Sequence, residues 1–178
     1  VRHAHKVTCS LSAIETEALL HDVPSAYNTQ INDILLTALA LCIANWSNQS
    51  KVFLDLEGHG RESLNETLDL SHTIGWFTSI FPICLQLSNE HDSLGAAIKN
   101  VKEQLRKLPQ KGVGYGLLRY MNPKASVALA GLKNPEISFN YGGQFKEVPL
   151  ESLGNEWSAD TTLKYKFNIT GAIVNKML

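Results

Sequence analysis

One segment of the chain, residues 31–46, is apolar on nearly every side of a helical projection. Its apolar residues recur three and four positions apart, which is the period of an α-helix. A helix that presents so little polar surface must be covered by other elements. The pattern therefore predicts a helix in the core, against which the other elements pack, with Asn32 or Asp33 as the N-cap.

Strand and helix patterns alternate in the segments that surround this helix. Residues 52–56 alternate in the manner of a strand, and residues 76–87 are aromatic and β-branched, with a bend expected at Pro82. Residues 93–105 repeat apolar side chains at helical spacing. A glycine-rich turn at 112–116 follows that helix.

Further strands are expected at 137–141 and within 163–174, and a first strand is expected at 2–10, followed by a short helix that ends before Pro24. Strands separated by helices predict an α/β fold. We expect a two-layer sandwich in which helices pack on a mixed β-sheet.

The bulk composition excludes several classes of function. The 178 residues suit one domain, and 16 basic against 17 acidic side chains leave no field that would attract nucleic acid or an anionic membrane. The longest apolar stretch, 34–44, is too short to cross a bilayer, so a cytoplasmic location is expected. Cys9, Cys42 and Cys84 are expected to be buried packing residues, because their spacing fits neither a zinc site nor a disulfide framework.

The densest group of titratable side chains is the hexapeptide EGHGRE at 57–62, directly after the strand at 52–56. Glu57 falls near the end of that strand, where functional groups are often carried. The bland alternative is a solvated polar turn in which Glu57 is only a salt-bridge partner. The histidines lack the spacing of a metal site, no Gly-x-Ser-x-Gly elbow occurs, and the glycines at 112–116 lack the ending of a phosphate loop.

Five motifs follow one another in a fixed order and resemble the later motifs of nonribosomal peptide synthetase epimerization domains, which are relatives of condensation domains. The resemblance covers roughly residues 27–144. The motifs are NDILLTA at 32–38, EGHGRE at 57–62, TIGWFTSIFP at 73–82, PQKGVGYG at 109–116 and FNYGGQ at 139–144.

This resemblance implies a fold similar to chloramphenicol acetyltransferase, with two α/β lobes facing each other across a tunnel. The family's His-His-x-x-x-Asp-Gly motif belongs to the N-terminal lobe and is absent here. Residues 1–178 are therefore expected to be a single C-terminal lobe without its N-terminal lobe. Such a lobe would expose an apolar face and could self-associate.

The resemblance also implies inversion of the α-carbon of an aminoacyl or peptidyl thioester, carried on the phosphopantetheine of a carrier protein, with no cofactor bound directly. Glu57 is the implied acid/base residue, and its partner would be the histidine of the missing lobe. Because a glutamate is a weak base in water, the tunnel would have to exclude water from this carboxylate. The isolated chain is expected to be inactive.

Other residues are implied to support the reaction or line the tunnel: His59, Arg61, Asn140, Tyr141 and Trp76. We expect Arg61 to pair with Glu62 or Asp55 and to leave Glu57 free. For Asn140 and Tyr141 the alternative is plain strand packing, and Trp76 is expected in the core or the tunnel wall. A condensation-type lobe that forms peptide bonds and a noncatalytic carrier-docking module are the two alternative functions.

Overall fold

The computed structural model describes residues 4–62, 69–70, 72–87, 93–146 and 160–178. Within these ranges a π-helical turn at Ala18–Asp22 joins the first two helices, and a 3₁₀ turn at Pro109–Gly112 precedes the fifth. The elements are α1 Ala13–Glu17, α2 Val23–Tyr27, α3 Ile31–Ser47, β1 Lys51–Gly58, β2 Ser79–Gln86, α4 Leu94–Arg106, α5 Gly114–Tyr120, α6 Pro123–Ala130, β3 Ile137–Phe145 and β4 Phe167–Val174.

The four described strands form one mixed sheet in the order β2-β1-β3-β4. β1 runs antiparallel to β2 and parallel to β3, and β3 runs parallel to β4. The α/β fold with a mixed sheet that the sequence predicts is thus confirmed.

One face of the sheet is buried against the helices, because alternate residues of each strand are apolar. α3 and α4 contribute the helical side of this core, and the first strand contributes Val52, Leu54 and Leu56. The side chains of Leu36, Leu54 and Val101 are fully buried. This buried face also includes Phe81, Ile83, Leu85, Ile137 and Phe139.

The opposite face of the sheet, which we call the open face, carries Phe53, Asp55 and Glu57 of β1. Residues paired with these positions lie on the same face, since side chains alternate along a strand. Apart from Asp55, the open face is half-buried or exposed. Its other members are Ile80, Pro82, Cys84, Ser138, Asn140, Asn168 and Thr170.

Three local expectations were wrong. Residues 4–10 form no strand and Val7 is 92% exposed, while residues 1–3 lie outside the described ranges. The second strand begins at Ser79 and continues through Pro82 in unbroken register, because an edge strand has one row of backbone groups without a partner strand. The first helical stretch passes Pro24, which lies in the first turn of α2 where no N–H is needed.

The long helix differs from expectation at its ends. Its N-cap is Gln30, whose backbone N–H donates to the Asp33 carboxylate at 2.7 Å, so the aspartate stands three residues inside the cap. Trp46, near the other end, is 72% exposed and lies edge-on to Phe167 with 5.7 Å between ring centroids. α3 is therefore buried along one face and not all round.

The cysteine prediction was also wrong, since all three thiols are free and exposed. Cys42 lies on the outward side of α3 and Cys84 lies on the open face of β2. Cys9 belongs to the N-terminal segment that pairs with no described strand. Apolar sequence neighbours predicted burial, but those of Cys42 and Cys84 face the other way, and Val7 near Cys9 is itself exposed.

The core prediction can be tested at α3. Leu36→Ala removes a fully buried side chain between helix and sheet, and we expect it to lower the free energy of unfolding by about 2–5 kcal/mol. Cys42→Ala on the exposed side of the same helix should change it by less than about 0.5 kcal/mol. Urea unfolding followed by circular dichroism measures both, and equal effects would contradict the assigned helix orientation.

Candidate functional site

The loop after β1 is held by hydrogen bonds between its own residues. The backbone N–H of Arg61 donates to Nδ1 of His59 at 3.0 Å, and the other ring nitrogen, Nε2, lies 3.1 Å from Glu62 Oε1. Because Nδ1 accepts a hydrogen bond, Nε2 carries the proton of the neutral ring. The His59 imidazole is therefore engaged at both nitrogens and orders the loop.

Glu62 connects this loop to the turn before α5. Its second carboxylate oxygen lies 2.8 Å from the Lys111 ammonium, and its side chain is only 17% exposed. Lys111 and its neighbour Gln110 both have left-handed backbone angles, with φ of 50° and 45°. The following Gly112, at φ 82°, brings its backbone against the Phe81 ring, where a Cβ would come within 2.4 Å.

Arg61 holds a second loop, the one that leads into β2. Its guanidinium donates to the carbonyl oxygens of Leu70 at 3.0 Å and Gly75 at 3.2 Å, and it lies 4.5 Å from the centre of the Phe77 ring. The expected pairing of Arg61 with Glu62 or Asp55 was wrong. Both acids are occupied by other cations, and two carbonyl groups with an aromatic ring satisfy the guanidinium instead.

Gly60 allows these two loops to approach each other. Its φ is 67°, and a Cβ built on it would lie 1.6 Å from the carbonyl oxygen of Phe77. Only glycine fits a left-handed position with backbone at that distance.

Glu57 differs from the other titratable groups of the hexapeptide. It lies at the end of β1 opposite Ile80 and is half-buried. Among the residues that the structure describes, none forms a hydrogen bond or ion pair with its carboxylate. The Arg61 guanidinium in particular donates to the carbonyl oxygens of Leu70 and Gly75 and not to the Glu57 carboxylate.

The two implied residues of β3 face opposite ways. Asp55 and Ser138 are paired across β1 and β3, so Asn140 shares the open face with Glu57. Tyr141 lies on the other face and packs against the apolar core, and burial raises the pKa of its phenol above the ordinary value. The geometry thus brings Asn140, and not the Tyr141 ring, to the side of Glu57.

Trp76 lies in the loop that Arg61 holds, but its indole is 90% exposed. The alternative that it packs in the core is therefore wrong, and its place in a tunnel wall stays a prediction. The same loop exposes Ile74, at 99%, so two large apolar side chains project from one short segment.

Sequence reasoning missed two features of the site. The first is Lys111, which the sequence predicts only as part of a glycine-rich turn. A lysine in a turn with left-handed backbone angles can bring its ammonium to a neighbouring carboxylate. The pattern also gives no indication of a cluster of Asp55, Lys164 and Tyr165 on the open face. An aspartate inside an apolar strand was the available signal, since a buried carboxylate requires partners.

Within the described ranges, no group of three or more histidine, cysteine, aspartate or glutamate side chains could hold a metal ion. None of the helices described there has the length and apolar character needed to cross a membrane.

The family of the chain follows from comparison with known proteins. A family model described as the condensation domain matches residues 2–178. The chain belongs to the condensation-domain family. The superfamily that the five ordered motifs predict is therefore confirmed.

Curated relatives of the family are much longer proteins. One component of the linear gramicidin synthase of Brevibacillus parabrevis is 41% identical over 187 residues, which include 98% of this chain and 4% of that protein. Mycosubtilin synthase of Bacillus subtilis has a component that is 43% identical over 176 residues, with 94% of this chain and 7% of that protein included. The chain thus spans a small part of the length of such relatives.

Two solved structures of the family fit to different extents. The epimerization domain from the third module of tyrocidine synthetase B superimposes with a TM-score of 0.89 at 37% identity, over 99% of this chain and 41% of that one. The first condensation domain of the CDA synthetase gives 0.51 at 18% identity, over 75% of this chain and 28% of that one. The second match shows the shared fold alone.

The close approach at Gly60 gives a test of the site geometry. Gly60→Ala places a methyl group on the Phe77 carbonyl and strains a left-handed residue, so we expect a loss of more than about 2 kcal/mol in the free energy of unfolding. Gly116→Ala in α5 is the matched control, because a Cβ there meets nothing within 4 Å. It should be neutral or stabilising by up to about 1 kcal/mol. Chemical denaturation of both variants decides, and an unaffected Gly60→Ala would refute the described loop contact.

Proposed function

We propose that this chain is part of a nonribosomal peptide synthetase epimerization domain, which inverts the α-carbon of an aminoacyl or peptidyl thioester on a carrier protein. The observation that carries the proposal is the Glu57 carboxylate on the open face, with which no described residue forms a hydrogen bond or ion pair. Every other charged residue of the hexapeptide forms contacts that hold the neighbouring loops in place. The fit to the tyrocidine synthetase epimerization domain over 99% of the chain supports it.

In the proposed reaction the Glu57 carboxylate takes the α-proton of the thioester, and the electron pair of the C–H bond moves toward the thioester carbonyl to give an enolate. Return of a proton to the opposite side of the α-carbon inverts it. Two acid/base groups on opposite sides of the substrate are needed. Glu57 is one of them, and by resemblance the other is the histidine of an N-terminal lobe. Neighbouring Asn140 offers an amide to the thioester region.

Exposed apolar surface supports a partner lobe. Five large apolar residues of α5, α6 and the loop between them are between 48% and 78% exposed, and large exposed apolar surface is typical of interaction sites. We propose that the N-terminal lobe of the same domain and the carrier protein bind to this chain, and that the isolated chain self-associates through its exposed apolar residues. The exposed residues are Leu117, Leu118, Tyr120, Met121 and Val127.

A condensation-type domain is the second candidate, because the matching family model carries that description. Peptide-bond formation would leave the α-proton in place, whereas epimerization exchanges it with solvent. A docking module would do neither. Measuring both α-proton exchange and peptide-bond formation on loaded carrier proteins therefore separates the three functions.

Glu57→Gln removes the proton acceptor and keeps the shape of the side chain. In the complete domain, with the adjacent carrier protein loaded with an α-tritiated amino acid, we expect this change to slow tritium release by about 100-fold or more. Glu103→Gln, in an exposed ion-pair group on α4, is the control and should release tritium at the wild-type rate. Release by Glu57→Gln at the wild-type rate would remove Glu57 from the reaction.

The 178-residue chain alone should release no tritium from the same loaded carrier protein, because by resemblance the thioester is held in a tunnel between two lobes, of which residues 1–178 are one. Release above the no-enzyme rate would contradict this expectation and show that residues 1–178 remove the α-proton without a second lobe. Circular dichroism of the chain, measured in parallel, establishes that the tested protein is folded.

A further inference from the structure

A compact hydrogen-bonded cluster stands on the open face beside Glu57. The Asp55 carboxylate accepts hydrogen bonds at one oxygen from the Tyr165 hydroxyl, at 2.6 Å, and from the Lys164 ammonium, at 3.0 Å. The ammonium also lies 2.7 Å from the Tyr165 hydroxyl oxygen. Each of the three side chains thus touches the other two, which fixes the ammonium in position.

The cluster is buried at its base and open at its tip. The Asp55 side chain is 7% exposed, whereas the Lys164 side chain is 61% exposed. Burial by itself would lower the pKa of the Lys164 ammonium, but its hydrogen bonds to Tyr165 and Asp55 and the charge of Asp55 raise it above the ordinary value. An ammonium has three donors, and these two contacts leave one for a ligand.

Glu57 and Asp55 are next-but-one neighbours on β1, so their Cα atoms lie about 6.6 Å apart on the same face. A lysine held at Asp55 is therefore within reach of a small group that contacts Glu57. Other nearby cations are already engaged, since Lys111 pairs with Glu62 and Arg61 donates to two carbonyl groups. Lys166, directly before β4, pairs with Glu136, directly before β3.

We propose that Lys164, held in place by Asp55 and Tyr165, donates a hydrogen bond to the thioester carbonyl oxygen of the substrate whose α-proton Glu57 removes. This inference rests on the proposed function and adds a residue to it. As the C–H bond breaks, the proton moves to the Glu57 carboxylate and negative charge collects on the carbonyl oxygen. A fixed ammonium stabilises that oxygen, and the charge returns to carbon when the opposite face is protonated.

Lys164→Gln in the complete domain tests the inference, with tritium release from the loaded carrier protein as the readout. We expect kcat to fall by about 100-fold while KM for the loaded carrier protein and the melting temperature stay near wild type. Lys166→Gln is the matched control, because that lysine precedes the same strand and pairs only with an exposed glutamate. It should leave kcat unchanged.

Lys164→Ala adds a chemical readout that a purely structural lysine would not produce. Methylammonium in the assay should restore part of its kcat, because the small cation can occupy the vacated position. Absence of rescue together with a lowered melting temperature would assign Lys164 a structural role and overturn the inference.

The outcomes distinguish this inference from the function on which it rests. Loss of release in Glu57→Gln with a wild-type kcat in Lys164→Gln overturns the role of Lys164 and leaves the epimerase proposal standing. No release by the wild-type domain overturns both. Should Lys164→Gln fail to fold, Tyr165→Phe replaces it: removal of the hydroxyl that orients the ammonium should lower kcat about 10-fold, and an unchanged kcat contradicts the inference.

Discussion

The alternation of β1 is the constraint on which the rest of the structure depends. Even-numbered residues from Val52 to Leu56 are buried against the helices, while Asp55 and Glu57 point to the other side of the same strand. A shift of one residue in register would exchange these two sets and bury both carboxylates among leucines. Burial of the apolar set thus decides which face of the sheet carries the charged groups.

The charged residues of the hexapeptide divide between structure and chemistry. His59 and Glu62 tie the loop to the turn before α5, and Arg61 ties it to the loop before β2. Because each of these groups has its own partners, none of them competes for the carboxylate of Glu57. In this cluster of titratable groups, His59, Arg61 and Glu62 therefore hold the loops in place, and the Glu57 carboxylate is left available for chemistry.

The elements of the fold with strong periodicity could be predicted from the sequence. α3, α4 and β1 are recognisable because their apolar residues repeat at a fixed interval. A local pattern does not say which strands find partners or which side of an element is covered. The sequence therefore could not predict the conformation of the N-terminal segment, the exposure of the cysteines or the bounds of β2. The path of the chain past Pro24 depends likewise on where the proline falls within a turn.

The candidate site was predictable in its residue types and not in its contacts. The ordered motifs pointed to Glu57, but the partners of Arg61 are backbone carbonyl groups, which no side-chain pattern reveals. Lys164 and Tyr165 are more than 100 residues from Asp55 in the chain. Such a cluster depends on how β4 docks beside β3, so it becomes visible only in three dimensions.

The turn before α5 shows that the position of one charge can require unfavourable backbone angles. Gln110 and Lys111 both adopt left-handed angles, which cost a residue with a side chain roughly 1–2 kcal/mol each relative to a right-handed conformation. A glycine at 111 would relieve that cost but would carry no ammonium to Glu62. The ion pair with the Glu62 carboxylate thus stabilises a strained turn. Loss of that carboxylate would let the turn relax, and the loop after β1 would lose its contact with Lys111.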